Sequence, residues 1–148
     1  MRIIPEQWQE LVAASREARG RAYAPYSQYP VGAAVLTASG RIFAGCNVEN
    51  SSYGNTICAE RVAVCSAVAE GHREFQAIVV SLTGVAVPCG TCRQFLYEFN
   101  PEMMVLLDDL TGLNTAELSR SVSQSSLTPP EVVVLKDLLP RGFRLAQS

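Results

Sequence analysis

No stretch of this 148-residue chain stays apolar for the ~18 residues that suggest a membrane span, so no membrane partner is expected. Charge is scarce, at 18% of residues, and nearly balanced: 12 basic against 14 acidic residues leave −2. With a pI of 5.4 the chain lacks the basic footprint of a nucleic-acid binder, and no nucleic-acid partner is expected. Low charge beside 48% apolar residues also excludes a disordered chain. The start, Met1-Arg2-Ile3-Ile4-Pro5-Glu6, meets an acid before any signal-peptide core could form. A cytoplasmic location is expected. Histidine is almost missing. The single one, His72, follows Gly71 at a helix end, where a cation suits the dipole, and it is assigned no chemistry. Cysteine is the exception, with five residues. An odd count in a compartment that keeps thiols reduced points to metal binding or catalysis before disulfides.

The length suits one domain, residues 1–148, with a core of its own. From Pro5, the positions Trp8, Leu11, Val12, Ala14 and Ala18 follow helical spacing. Val31–Leu36 and Arg41–Val48 read as a hairpin around Ala38-Ser39-Gly40. Asn55 or Thr56 could cap a helix over Cys58–Glu70 that Gly71 closes. Gln76–Leu82 and Met103–Leu107 read as buried strands flanking a helix over Cys89–Phe99. Residues 111–130, with five serines and three threonines, read as a surface excursion with one helical turn near 116–119. Strand character resumes at Glu131–Leu135. Strands alternate with helices, so the class is α/β.

Cys58-Ala59-Glu60 opens one helix, and Pro88-Cys89-Gly90-Thr91-Cys92 opens the next. Both starts can lie at one edge of one sheet, where Cys58, Cys89 and Cys92 can converge on an ion. Thiolates suit Zn²⁺, and three of them leave the fourth tetrahedral position for water. Three thiolates and Zn²⁺ sum to −1. Two helix N-termini, and Arg61 beside Glu60, oppose that excess. Glu60 can face the open position without binding the metal, where a proton carrier is needed. Other readings compete. A closed four-cysteine zinc would need Cys46, since Cys65 stands about 10 Å along the helix from Cys58. A dithiol redox pair would leave Cys58 and Glu60 idle. Inert burial suits Cys46 and Cys65 better than the other three.

In order along the chain stand Ala22-Tyr23-Ala24-Pro25-Tyr26-Ser27, Val31-Gly32-Ala33-Ala34, Gly45-Cys46-Asn47-Val48-Glu49-Asn50, Cys58-Ala59-Glu60-Arg61 and Pro88-Cys89-Gly90-Thr91-Cys92-Arg93-Gln94. This set resembles the small zinc-dependent cytidine deaminases of pyrimidine salvage, from about Ala13 to Asp108 and again at Leu138-Leu139-Pro140. The resemblance implies a three-layer α/β/α fold with a mixed five-stranded sheet, and one zinc per chain on Cys58, Cys89 and Cys92. It implies Glu60 as the proton shuttle. Asn47 and Glu49 would hold the ribose 3′-hydroxyl, and the Ala59 N–H the base carbonyl O2. Tyr29, where the family commonly has Phe, would face the pyrimidine. Phe143 would reach a neighbour's pocket in a homotetramer. The implied reaction is hydrolytic deamination of cytidine and 2′-deoxycytidine.

Three departures stand out. The loop from Thr83 to Val87 is shorter than in many members, Val87 replaces a common Ser, and the 111–130 excursion has no counterpart in short members. Alone, Asn47 and Glu49 would read as a solvated strand end, and Tyr29 and Phe143 as packing residues. Two other functions stay open: deamination of another aminopyrimidine nucleoside such as blasticidin S, and a structural zinc module that binds a protein. Asn47 with Glu49, and Arg61, favour cytidine, and the acidic pI disfavours a polynucleotide substrate.

Overall fold

The computed structural model describes residues 6–114 and 129–146. The chain runs α1 (Glu6–Arg19), β1 (Gly32–Thr37), β2 (Ile42–Cys46), a 3₁₀ turn (Tyr53–Asn55), α2 (Ala59–Ala69), β3 (Phe75–Leu82), α3 (Gly90–Tyr97), β4 (Met104–Asp109), β5 (Glu131–Val134) and α4 (Leu135–Leu138). The five strands form one sheet in the order β2-β1-β3-β4-β5. β1 is antiparallel to both β2 and β3, so β2 and β3 point the same way. β4 runs parallel to β3, and β5 antiparallel to β4. The sheet is mixed, as expected.

That topology decides where the chemistry goes. α2 follows the C-terminal end of β2, and α3 follows the C-terminal end of β3. Both helices therefore begin at the same edge of the sheet, where open α/β sheets gather ligands.

Period-two alternation splits the core. Ala33, Val35 and Ile78 face α2, α3 and α4, packing on Ala63, Val64, Leu96 and Leu135. Ala34, Leu36, Ala77 and Val79 face the other way, onto Leu11 and Val12 of α1. The sheet is thus covered on both sides. Two glycines let the helices approach closely. A Cβ at Gly45 would come within 2.5 Å of the Ala63 nitrogen in α2, and one at Gly32 would collide with the Ser15 carbonyl in α1.

Most elements lie within one or two residues of their predicted bounds. Four details differ. The helix over 59–69 is capped by Cys58 itself, not by Asn55 or Thr56. β2 ends at Cys46. The next residues continue as a single bridged thread, Val48 pairing with Tyr23 on one side and Ile57 on the other. Buried Leu135 leaves the last strand and starts α4, its side chain joining the core cluster that includes Leu96 of α3. The α1 stripe takes in Ser15 beside the partly buried Ala14, the Ser15 hydroxyl donating to Ser81 Oγ at 2.7 Å inside the core. The helical turn expected near 116–119 lies outside the described residues.

Candidate active site

Cys58 is the N-cap of α2, and Cys89 the N-cap of α3. Cys92 lies in the first turn of α3 and is buried. Their three sulfurs all lie within 4.8 Å of one another, and those of Cys58 and Cys89 are 3.9 Å apart. Zn–S bonds of ~2.3 Å at tetrahedral angles put sulfurs about 3.8 Å apart, so the donor set fits a zinc ion. Among the described residues no fourth ligand joins the cluster. The Cys46 thiol donates to the Arg21 carbonyl at 3.6 Å, and Cys65 is exposed. The arrangement is an open three-thiolate site rather than a closed four-cysteine one.

Charge around the cluster favours a thiolate at Cys58. Arg61 Nη2 donates to Cys58 Sγ at 3.6 Å and to the Thr56 carbonyl at 3.5 Å. The Cys58 thiol is held down to about 5, first by a hydrogen bond from Cys92 and then by Arg61 and Cys89, against the cost of burial. Cys92 is pushed upward by the same hydrogen bond, by burial and by neighbouring negative charge. The hydrogen bond from Cys92 favours Cys58 as the first of the two to ionise, and Arg61 adds to that preference.

Glu60 is 4% exposed. Burial raises its carboxyl above the usual carboxylate range, the Cys58 charge adds to this, and Arg61 opposes it. A carboxyl pushed upward can both hold and release a proton near neutral pH. Glu60, Cys58, Cys89 and Ala59 line an inner cavity of 190 Å³ with Val31, Asn47, Thr56, Val80, Leu82 and Val87. Ala59 is the first residue of α2, and an N–H there has no acceptor within the helix.

A second cavity of 250 Å³ is lined by Tyr26, Ser27, Glu49, Tyr53 and Thr56. Thr56 lines both cavities, so the two adjoin. Glu49 is held there as an anion. Ser27 donates to it from both its hydroxyl and its N–H, and the Tyr26 N–H adds a bond of 2.9 Å. The Ser27 bonds, with the Tyr26 bond, place its carboxyl below the usual range.

Asn47 and Glu49 lie two residues apart on the bridged thread, yet they are used differently. The Asn47 carboxamide clamps the turn at Tyr29: Oδ1 accepts the Val31 N–H and Nδ2 donates to the Tyr29 carbonyl, both at 2.9 Å. Tyr29 and Phe143 line neither cavity. The Tyr29 hydroxyl donates to the Thr83 carbonyl, and Phe143 is 64% exposed at the end of α4's tail. Thr56 and Ser27 are site residues that spacing did not single out. Ser27 lies in the Ala22–Ser27 run, to which spacing assigns no chemistry, and Thr56 is one of two residues that spacing offers as a helix cap.

Residues 5–108 match the family described as the cytidine and deoxycytidylate deaminase zinc-binding region. The chain belongs to this family. The cysteine cluster lies within the matched zinc-binding region and is consistent with one zinc ion. A cytidine deaminase of Sporosarcina psychrophila is 50% identical over 107 residues, which span 70% of this chain and 79% of that one. The crystal structure of a cytidine deaminase from Burkholderia pseudomallei matches with a TM-score of 0.76 at 42% identity, covering 90% of this chain and 97% of that one. One from Mycobacterium tuberculosis matches with a TM-score of 0.70 at 34% identity, covering 93% and 98%. Among the described residues, no helix of this deaminase is long and apolar enough to cross a membrane.

Proposed function

We propose that this deaminase converts cytidine and 2′-deoxycytidine to uridine and 2′-deoxyuridine with release of ammonia, as a step of pyrimidine salvage. The observation that carries this reading is the pair of adjoining cavities. The inner one presents Cys58 and Cys89 of the cysteine cluster with buried Glu60, and the outer one presents a fixed carboxylate, Glu49. A flat base beside the cysteines and a sugar hydroxyl on Glu49 make a nucleoside, not a free base, the matching ligand.

Cys58, Cys89 and Cys92 would hold the zinc, whose role when bound is Lewis-acid activation of water. The rest belongs to the chain. Glu60, buried and raised, takes the proton of the attacking water, carries one to ring N3 and then one to the departing amine. The free N–H of Ala59 donates to O2 of the base and fixes which edge faces Glu60. Glu49 accepts the sugar 3′-hydroxyl. Asn47 contributes mainly by clamping the Tyr29 turn. Its remaining N–H is what it has to offer the sugar. Arg61 supports the Cys58 thiolate.

The chain is further read as a single domain that assembles into a homotetramer, with Phe143 serving a neighbouring site. Large apolar side chains left at the surface support assembly: Tyr53, Phe143 and Leu145 are 73%, 64% and 80% exposed. A three-thiolate site needs reduced thiols, which supports work in the cytoplasm.

Ammonia release by zinc-loaded protein from cytidine, deoxycytidine, cytosine, CMP and blasticidin S tests the reading. Cytidine and deoxycytidine should be turned over in preference to the other three. In Glu49→Gln, discrimination between cytidine and cytosine should shrink by about 10- to 150-fold, the worth of a hydrogen bond to a charged group. Unchanged discrimination would place the ribose elsewhere.

A further inference from the structure

We propose that the Tyr29 hydroxyl is a positioning group that latches the loop 83–89 against the turn at residues 29–31, and so sets the width of the inner cavity. Four contacts converge on this arrangement. Tyr29 Oη donates to the Thr83 carbonyl at 2.5 Å. A Cβ at Gly84 would stand 3.6 Å from that same oxygen, so the loop backbone lies against the end of the ring. Arg19 bridges the same two segments, its Nε donating to the Pro30 carbonyl at 3.2 Å and its Nη2 to Thr83 Oγ1 at 3.3 Å. On the other side of the loop, Asp109 Oδ1 accepts the Gly84 N–H at 2.9 Å.

The latched loop is the one that delivers Val87 and Cys89 to the cavity wall, while Val31 and Asn47 line the same cavity from the turn. The turn is itself fixed, because the Asn47 carboxamide holds the Tyr29 carbonyl and the Val31 N–H. Tyr29 Oη thus closes a circuit from Asn47, through the turn and Thr83, to the loop that ends at Cys89. Cys89 lies only six positions beyond Thr83, so a shift at Thr83 has little chain in which to dissipate. A planar ring entering a slot is held by how closely the two sides are spaced. The hydroxyl acts on that spacing without touching the reacting atoms.

The kinetic consequence rests on the deaminase reading, but the latch itself does not, and the test separates them. Tyr29→Phe keeps the ring and removes only the hydroxyl. In the zinc-loaded protein, hydrogen exchange of the Gly84 amide, the loop N–H held by Asp109 Oδ1, should quicken by about 3- to 10-fold, the loss of one neighbouring hydrogen bond. KM for cytidine should rise by a similar ~3- to 10-fold, with kcat changed by less than about twofold, since the group removed acts on binding geometry. Asp109→Ala cuts a second tether of the same loop, at the Gly84 N–H, and should quicken the same amide. If loop exchange in Tyr29→Phe matches the wild type, the latch is overturned, whether or not cytidine is turned over. A fall in kcat at constant KM would also overturn it, because the hydroxyl would then act in the reaction itself.

Discussion

Arg61 Nη2 lies 3.6 Å from the sulfur of Cys58, three positions before it across the start of the same helix. The contact joins a permanent cation to the sulfur with the depressed pKa. Cys58 is held at about 5, chiefly by the Cys92 hydrogen bond and then by Arg61. Its thiolate is therefore present above about pH 5 and is lost as the pH falls through that value. In zinc-stripped protein, alkylation of Cys58 should be half-maximal near pH 5, where an ordinary thiol would need about 8.5. Arg61→Met removes the cation and should move the midpoint upward. A wild-type midpoint in the ordinary thiol range would contradict the electrostatic role given to Arg61 and Cys92.

Zinc content should follow the cluster and not the cysteine count. Cys58→Ala, Cys89→Ala and Cys92→Ala each leave two thiolates and should lose the metal or bind it far more weakly. Cys46→Ala and Cys65→Ala should keep one zinc per chain, because the first thiol is committed to Arg21 and the second faces solvent. Atomic absorption on the purified, folded variants decides. Loss of zinc from Cys46→Ala would mean that the site is closed by a fourth sulfur.

Glu60→Gln should retain zinc and the fold but lose nearly all turnover. The amide is close to isosteric in a site that is 4% exposed, yet it cannot accept and return a proton. Single-turnover ammonia release is the measurement. Activity within about tenfold of wild type would remove Glu60 from the mechanism, since general acid–base catalysis contributes ~10²- to 10⁴-fold.

Stability has its own buried device on the opposite face. Arg16 Nε and Nη2 bind the two carboxylate oxygens of Asp108 at 2.9 and 2.8 Å, and Ser81 donates to the same carboxylate at 2.6 Å. The two side chains are 6% and 2% exposed. Arg16→Ala or Asp108→Ala strands a buried charge and should cost about 3–5 kcal/mol by urea denaturation. The double variant Arg16→Met with Asp108→Leu removes both charges and should recover most of that loss. Equal damage from the single and double variants would show that packing, not the stranded charge, sets the cost.

The clustering of Cys58, Cys89 and Cys92, with buried Glu60 beside them, was legible because these residues lie in short motifs at helix starts, where local spacing determines geometry. Strands β1, β3 and β4 were legible because runs such as Ala77–Val80 are apolar on both faces of a covered sheet. What spacing could not reveal depends on distant partners. Asn47 alternates with Glu49 as a ligand-facing pair would, but its carboxamide is occupied by a turn 16 and 18 positions earlier in the chain. Arg16 finds Asp108 across 92 positions. Thr56 looked like a cap because it precedes a helix, whereas the Ile57 bridge to Val48 carries the chain one step further, so that Cys58 becomes the cap and Thr56 turns into the wall between the two cavities.

Assembly gives the remaining prediction. The tail beyond α4 is fixed up to Phe143: a Cβ at Gly142 would press within 2.7 Å of the Tyr97 ring, and Gln94 Nε2 donates to the Phe143 carbonyl at 3.0 Å. The aromatic ring itself is 64% exposed and lines neither cavity of its own chain. A ring held by its backbone yet projecting outward suits a role in a neighbour's site. Losing one aromatic surface against a base costs roughly 1–3 kcal/mol, so Phe143→Ala should lower kcat/KM by about 5- to 150-fold while zinc stays bound. Co-expression of Phe143→Ala with Glu60→Gln separates the two geometries. If the ring acts in trans, a site with intact Glu60 receives Phe143 from the other chain, and the mixture exceeds the weighted sum of the two pure variants. If it acts within its own chain, no mixed site holds both residues and no recovery appears. A monomer by light scattering that is fully active at assay concentration would end the proposal.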